Sequence, residues 1–347
     1  MQEKYLVASN SAGGFCSYYE NAFDTRKFSK IYVIKGGSGT GKAFFMRRVA
    51  QNAEKYGYSV RYIYCSSDAE SLDAVIINEL KVAVLDGTSP HVYEPHTIGA
   101  VESFVNLGDF LDEAKLSKNR ALIERVTLEK QKGFVKAYRA LASYKSLSDN
   151  IADMVKPTLN FEKINKFALK FVDNVEKGTQ NEEILLVRAI GMRGLSSFDT
   201  YYELAEIYYE IEDYFESAHF LTNEIYLLMK QKGVDIRISR HPIIPSRIDA
   251  LRTEREGLTF EIGNGMNDAT RRINMKRFID VSQIQKIRQD YRATVRARDY
   301  SLDVALAEFE KVKEKHFILE RIYGSAMDFV AKEQFTDEFC KKIFQNN

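Results

Sequence analysis

The chain has 347 residues, of which 45% are hydrophobic, and its net charge at pH 7 is +1. That length and apolar content suffice for two substantial cores, and the near-neutral balance gives no global electrostatic reason to expect nucleic acid or an anionic membrane as partner. Cys16, Cys65 and Cys340 lack the paired spacing of a disulfide framework or a zinc site, so a reducing, cytoplasmic setting is expected.

Met1 to Ser11 has no basic segment followed by an apolar one, and no run approaches the roughly 18 apolar residues of a membrane span. The first run with chemistry is Ile31-Tyr32-Val33-Ile34, an apolar, β-branched strand that leads directly into Gly36-Gly37-Ser38-Gly39-Thr40-Gly41-Lys42-Ala43. This stretch matches G-x-x-x-x-G-K-[ST] at every position but the last. Glycines let successive backbone N–H groups turn inward around a triphosphate, Lys42 reaches the β and γ phosphates, and the following helix offers its positive end. Ala43 has no hydroxyl for Mg²⁺, so the pattern supports nucleotide binding more strongly than phosphoryl transfer. Phe44, Phe45, Val49 and Ala50 recur at spacings that let one helical face pack on a sheet.

The next strand is read at Ser59 to Cys65, ending in Ser66-Ser67-Asp68-Ala69-Glu70. Ligand-contacting residues gather at the carboxyl ends of parallel strands, which makes Asp68 and Glu70 candidates for orienting water or a substrate hydroxyl. The competing expectation is a helix beginning near Glu70 and capped by Ser67 or Asp68. After a short apolar segment, Lys81-Val82-Ala83-Val84-Leu85-Asp86 reads as a buried strand ending in an acid, the form of a Walker B element. Asp86 would hold Mg²⁺ directly or through water. His91 and His96 follow; His91 near Asp86 is expected to be a solvated or hydrogen-bonded bystander, with sensing or contacting phosphate as the alternative, and its pairing with Cys65 and His96 as a zinc site is rejected on spacing.

The chain also repeats itself. A shift of 176 positions lays Ile31-Tyr32 on Ile207-Tyr208, Phe44 on Phe220, Gly57 on Gly233, Arg61 on Arg237 and Asp73-Ala74 on Asp249-Ala250. A shift of 180 lays Leu6-Val7 on Leu186-Val187, Gly14 on Gly194 and Ser17 on Ser197. The second copy has lost the phosphate loop: it carries Glu212-Asp213-Tyr214-Phe215-Glu216-Ser217-Ala218-His219, with three carboxylates that would repel phosphate. Ile262 stands where the first copy has Asp86. Residues 109 to 180 carry apolar residues at helical spacing, Pro157 ends that run, and Glu176-Lys177-Gly178-Thr179-Gln180 is the expected linker. Arg237, Arg240, Arg247, Arg252 and Arg255 crowd one stretch of the second copy, which reads as a solvated basic face or, less simply, as the source of an arginine finger.

Phe15-Cys16-Ser17 after Gly13-Gly14, the loop Gly36 to Lys42, Tyr64-Cys65-Ser66-Ser67-Asp68, the run Ser71 to Ile77 and Glu79 to His91 together resemble a poorly characterised bacterial family of tandem P-loop ATPase-like proteins, found largely in Firmicutes. The resemblance covers most of the chain and is strongest from residue 5 to 112. It implies Gly36, Gly41 and Lys42 as phosphate contacts and Asp86 as the Walker B acid. Many members keep a complete GKS or GKT, often in both copies, whereas this chain has Ala43 and an erased second loop.

The expected fold is α/β: a P-loop NTPase-like parallel sheet core with a helical hairpin, duplicated as two similar halves. Residues 1–175 form the nucleotide-binding half and 181–347 the degenerate repeat, with contact between the halves. The expected function is binding of ATP with Mg²⁺ and slow hydrolysis coupled to conformational change. GTP ranks lower because no N/TKxD-type guanine-reading motif occurs. A nucleotide-sensing scaffold without turnover and a small-molecule kinase are the alternatives.

Overall fold

The computed structural model describes residues 2–90, 93–263 and 271–345, so His91 lies outside the described residues. The first half begins with β1 (Glu3–Leu6), a hairpin of β2 (Ala8–Ser11) and β3 (Gly14–Ser17), the short turn α1 (Tyr19–Ala22), β4 (Lys30–Lys35) and α2 (Lys42–Lys55). It continues through β5 (Val60–Tyr64), β6 (Leu72–Ile77), β7 (Val82–Asp86) and β8 (Glu102–Asn106) to the helices α3 (Glu113–Lys118), α4 (Arg120–Val155) and α5 (Phe161–Val172). The second half repeats the order with β9 (Glu182–Ile184), β10 (Arg188–Gly191), β11 (Gly194–Ser197), α6 (Thr200–Glu203), β12 (Ile207–Glu212) and α7 (Ala218–Lys232). It closes with β13 (Ile236–Arg240), β14 (Ile248–Thr253), β15 (Leu258–Gly263), β16 (Arg271–Asn274), α8 (Val281–Ser325) and α9 (Phe329–Gln345).

Each half builds a six-stranded sheet, in the order β1-β5-β6-β7-β4-β8 and β9-β13-β14-β15-β12-β16. The sheets are mixed rather than parallel: β6 and β14 run against their neighbours, while the other pairings are parallel. The reason is the connections. Residues 65–71 and 78–81 are too short for a crossover, so β5, β6 and β7 can only turn back on one another. The apolar segment at Leu72–Ile77 is therefore a fully buried strand, and residues 66–71 are the turn before it, not the start of a helix. No helix among the described residues is long and apolar enough to cross a membrane.

Burial corrects the register of the repeat. β4 and β12 are both buried at their second, fourth and fifth positions, which superposes Ile31 on Tyr208, one residue away from the pairing read in the sequence. The discrepancy is absorbed in the loop, since residues 213–217 after β12 span one position fewer than residues 36–41 after β4.

The halves exchange their last helices. α4 leaves the first sheet, and α5 behind it buries Ile164, Ala168 and Val172 in the core of the second sheet, beside Leu221 and Ile225 of α7. In return α8 runs back, and α9 packs Phe339, Cys340 and Ile343 on the first sheet beside Phe45 and Val49 of α2. The crossing points are matched hydrogen bonds: Asp112 N–H to the Ala326 carbonyl and Asp328 N–H to Phe110 in one, Asp280 N–H to Thr158 and Asn160 N–H to Phe278 in the other, all at 2.8–2.9 Å. Instead of two separate hairpins, α4 and α8, about 54 and 67 Å long, lie antiparallel against each other. α4 buries Val126, Gly133, Ala137, Ala140 and Leu141 at coiled-coil spacing, and a Cβ on Gly133 would lie 2.6 Å from the Val312 side chain, so the helices approach closely there.

The seam between halves obeys the same pseudo-two-fold symmetry. Leu6 and Leu186 exchange backbone hydrogen bonds of 2.8 Å, and each hairpin reaches across: Ala12 N–H to the Ile243 carbonyl at 3.0 Å, Met192 N–H to Ser67 at 2.9 Å. Arg61 pairs with Glu3 at 3.1 Å and Glu183 at 3.3 Å; its repeat counterpart Arg237 pairs with Glu183 at 3.1 Å, Glu254 at 3.3 Å and Glu3 at 3.7 Å. Apart from Arg255, which is exposed and pairs with Glu176, the arginines of this stretch form neither a solvated basic face nor a set of free fingers. Arg237 and Arg247 are buried, and Arg240 and Arg252 donate to the Pro245 and Leu204 carbonyls.

Candidate functional site

β4 sits inside its sheet between β7 and β8, and the glycine loop leaves its carboxyl end to start α2. Gly39 and Gly41 adopt φ of +72° and +79°, a backbone that L side chains rarely take, which is why glycine is needed at both. Lys42, the first residue of α2, folds its ammonium over the loop, donating to the Gly37 carbonyl at 2.8 Å and to Gly36 at 3.2 Å. Asp86, at the end of the neighbouring strand β7, places Oδ2 3.5 Å from that ammonium. Thr88 orients the carboxylate by donating its N–H (2.8 Å) and hydroxyl (2.5 Å) to Oδ1. Gly36, Gly37, Ser38, Gly39, Thr40, Gly41, Lys42, Ala43 and Asp86 therefore come together at one sheet end.

The position that follows the lysine carries no hydroxyl. Ala43 packs its methyl against the core, and the Thr40 hydroxyl, buried, donates to the Gly37 carbonyl at 2.9 Å. Asp68 and Glu70 are held elsewhere: both are paired with Arg193, which arrives from the β10–β11 hairpin and also faces the Phe317 ring. They clasp the two halves. His96 donates its N–H to Glu102, and burial, then Asp73, pushes the Cys65 thiol up. Among the described residues no group of three or more His, Cys, Asp or Glu side chains is placed to hold a metal unaided. A Mg²⁺ ion here would take one carboxylate, Asp86, and complete its shell from phosphate oxygens and water, which is its usual habit.

Three features of the site come from the far end of the chain. The last turn of α8 packs on the loop, with the Tyr323 ring 3.0 Å from where a Gly37 Cβ would stand and the Glu320 carbonyl against Gly39, where no side chain fits. Lys130 of α4 lies 3.0 Å from His316 Nδ1, and His316 Nε2 is 3.3 Å from Glu320. Burial, above all, lowers the Lys130 ammonium below its ordinary range. Lys332 of α9 is 2% exposed; its ammonium sits 4.5 Å from the centre of the Phe44 ring and 3.0 Å from a would-be Gly41 Cβ, with no carboxylate within 4 Å among the described residues. The sequence signal for Lys332 was faint: a lone lysine on an otherwise apolar helical face of α9.

The second half shows what happens without the lysines. In the exchanged register Lys42 corresponds to Ala218, Asp86 to Ile262 and Lys332 to Ile164 of α5, so all three charges are absent together. The loop nonetheless keeps its shape. Phe215 and Glu216 hold φ of +56° without glycine, and Ser217 donates to the Tyr214 carbonyl at 2.6 Å as Thr40 does to Gly37. Such left-handed residues cost about 1–2 kcal/mol each. The helix start is filled from within, because the Asp213 carboxylate accepts the Ala218 N–H at 2.9 Å.

A cavity of about 950 Å³ opens beside this second loop. His219 lies on its wall, and burial, reinforced by Arg247, pushes the imidazole down to about 3. The unfolded chain takes up a proton near pH 6.5 that the folded chain refuses, so this group removes stability as pH falls from about 6.5 towards 3, at roughly 1.4 kcal/mol per pH unit. His219→Gln is expected to flatten the loss of melting temperature over that window; an unchanged slope would refute the assignment. Comparing variant with parent is essential because burial raises the carboxyls of Asp213 and Glu261, which act in the opposite sense.

No protein-family model, no curated protein and no solved structure matches this chain.

Proposed function

We propose that the first half binds a nucleoside triphosphate, ATP ahead of GTP, together with Mg²⁺, and hydrolyses it slowly. The observation that carries this reading is the ammonium of Lys42 at the mouth of a glycine loop, 3.5 Å from the strand-end carboxylate of Asp86. Loop amides and the α2 N-terminus would take phosphate oxygens, Lys42 would bridge the outer phosphates, and Asp86 would hold the ion. Lys130 and Lys332 add positive field without belonging to the motif.

A second reading, a nucleotide-responsive scaffold with little turnover, is favoured by a specific feature: the residue after Lys42 supplies no hydroxyl, with Ala43 packed against the core and Thr40 engaged by Gly37. Calorimetric titration with ATP, GTP and their diphosphates, with and without Mg²⁺, tests the common premise; absence of heat for every nucleotide at about 1 mM overturns it. Ala43→Ser separates the two readings. For a weakened hydrolase it is expected to raise Mg²⁺-dependent turnover roughly tenfold, about 1.4 kcal/mol of barrier, at unchanged affinity. An unchanged rate favours the scaffold.

A further inference from the structure

We propose that the cavity at the end of the second sheet binds a small zwitterion, a molecule carrying a carboxylate and an ammonium on one apolar frame, of the amino-acid or short-peptide class. At about 950 Å³ it lies at the upper end of the range of small-molecule pockets, about 300–1,000 Å³, and it occupies the same sheet end as the phosphate loop of the first half. Phosphate is disfavoured there. The Asp213 carboxylate already takes the α7 N–H, and no lysine lines the space among the described residues.

The side chains that remain sort by charge. Among the described residues, six carboxylates line the cavity against three guanidinium groups. Arg188 is held by Glu261 at 2.9 Å and faces Asp249 at 3.7 Å; Arg298 is held by Glu216 and by Asp299 at 2.7 Å. Arg247 differs. It is 9% exposed, donates to the Ser148 carbonyl at 3.0 Å, and has no carboxylate within 4 Å among the described residues. Glu216, Asp149 and Asp249 act on this guanidinium only from beyond contact distance, which leaves its donors open to an incoming carboxylate, while the surplus of acids opposes a lone anion and favours a molecule that brings an ammonium with it. Asp199 and Asp213, both exposed lining residues and neither paired with a cation among the described residues, are the acceptors open to that ammonium.

Two further features fit such a guest. His241 accepts the Ile243 and Ile244 N–H groups on Nδ1 at 3.1 and 3.0 Å, so its hydrogen sits on Nε2 and can be donated to a carbonyl or carboxylate. Ile190, Ile243, Leu302 and Leu306 supply an apolar wall.

The test is calorimetry on the full chain without nucleotide, so its failure is separate from any failure at the phosphate loop. The probes are leucine, leucyl-leucine, the N-acetyl and C-amide forms of the dipeptide, and inorganic phosphate. One free zwitterion is expected to bind with Kd below about 1 mM, leucine against leucyl-leucine showing which size fits, and capping either end should weaken binding about tenfold or more. Arg247→Gln should weaken it similarly. Leu195→Asp, at a cavity-lining position that is 63% exposed and so tolerant of change, should weaken binding without altering melting temperature. Absence of heat from both free zwitterions at about 5 mM, equal binding of capped and free forms, or tighter binding of phosphate each overturns the proposal.

Discussion

Lys42→Ala is expected to lower affinity for Mg²⁺–ATP by about 100-fold or more. The ammonium is the one side-chain cation that the loop itself presents, and a charge-assisted hydrogen bond to phosphate contributes roughly 1.5–3 kcal/mol, of which lysine can make more than one. Its present acceptors, the Gly36 and Gly37 carbonyls, and its neighbour Asp86 at 3.5 Å place it where those bonds would form. Lys332→Met should weaken binding less, about tenfold, because that ammonium approaches the start of α2 from the side, beside Phe44 and Gly41. Titration calorimetry on both variants, with melting temperature as the control for folding, decides the matter. If Lys42→Ala binds within about threefold of the parent protein, phosphate is not held at this loop.

The second large effect concerns stability. Arg237→Met should destabilise the protein by about 3 kcal/mol, because it leaves the buried Glu183 carboxylate with Arg61 alone, at 3.3 Å, and removes the guanidinium that donates to the Tyr5 hydroxyl at 2.7 Å. Arg237 is 4% exposed, and its charge is balanced by acids from both halves. Arg255→Ala is the contrast. That side chain is 53% exposed and pairs with Glu176 at 3.0 Å, so its loss should stay within about 0.5 kcal/mol. Denaturant melts of the two variants should therefore differ widely; equal midpoints would mean that the seam network contributes nothing. Turnover of folded Arg237→Met should match the parent, since the guanidinium is engaged far from any role as a finger.

The internal repeat was visible because the positions that recur are those with little freedom. Gly57 and Gly233 take φ of +83° and +77° just after α2 and α7, Gly14 and Gly194 turn the two hairpins with positive φ, and Arg61 and Arg237 meet across the seam. These identities mark turns and interface rather than chemistry. The glycine loop was legible for a different reason: its glycines and lysine stand at the spacing of a known sequence pattern, so residue type alone locates it.

Other features were hidden. β6 looked like a minor apolar segment, since a strand buried on both faces lacks the alternation that announces a strand, and with it the mixed character of the sheets was missed. Asp68 read as a candidate for chemistry because it follows a strand end, yet its partner Arg193 lies 125 residues away. No local pattern carries such a pairing.

From the amino-acid order alone came the duplicated α/β plan, the loop at Gly36–Lys42 with Asp86 beyond it, and the loss of lysine and acid from the second copy. All of these depend on local spacing or on comparison of one stretch with another. Only the tertiary structure decided which helix covers which sheet, that α8 and Lys332 of α9 close on the first loop, and that a charged cavity replaces it in the second half. Helix exchange turns on which of two similar apolar faces a helix buries, and that choice is made by packing between residues more than a hundred positions apart, where no periodicity in the chain can record it.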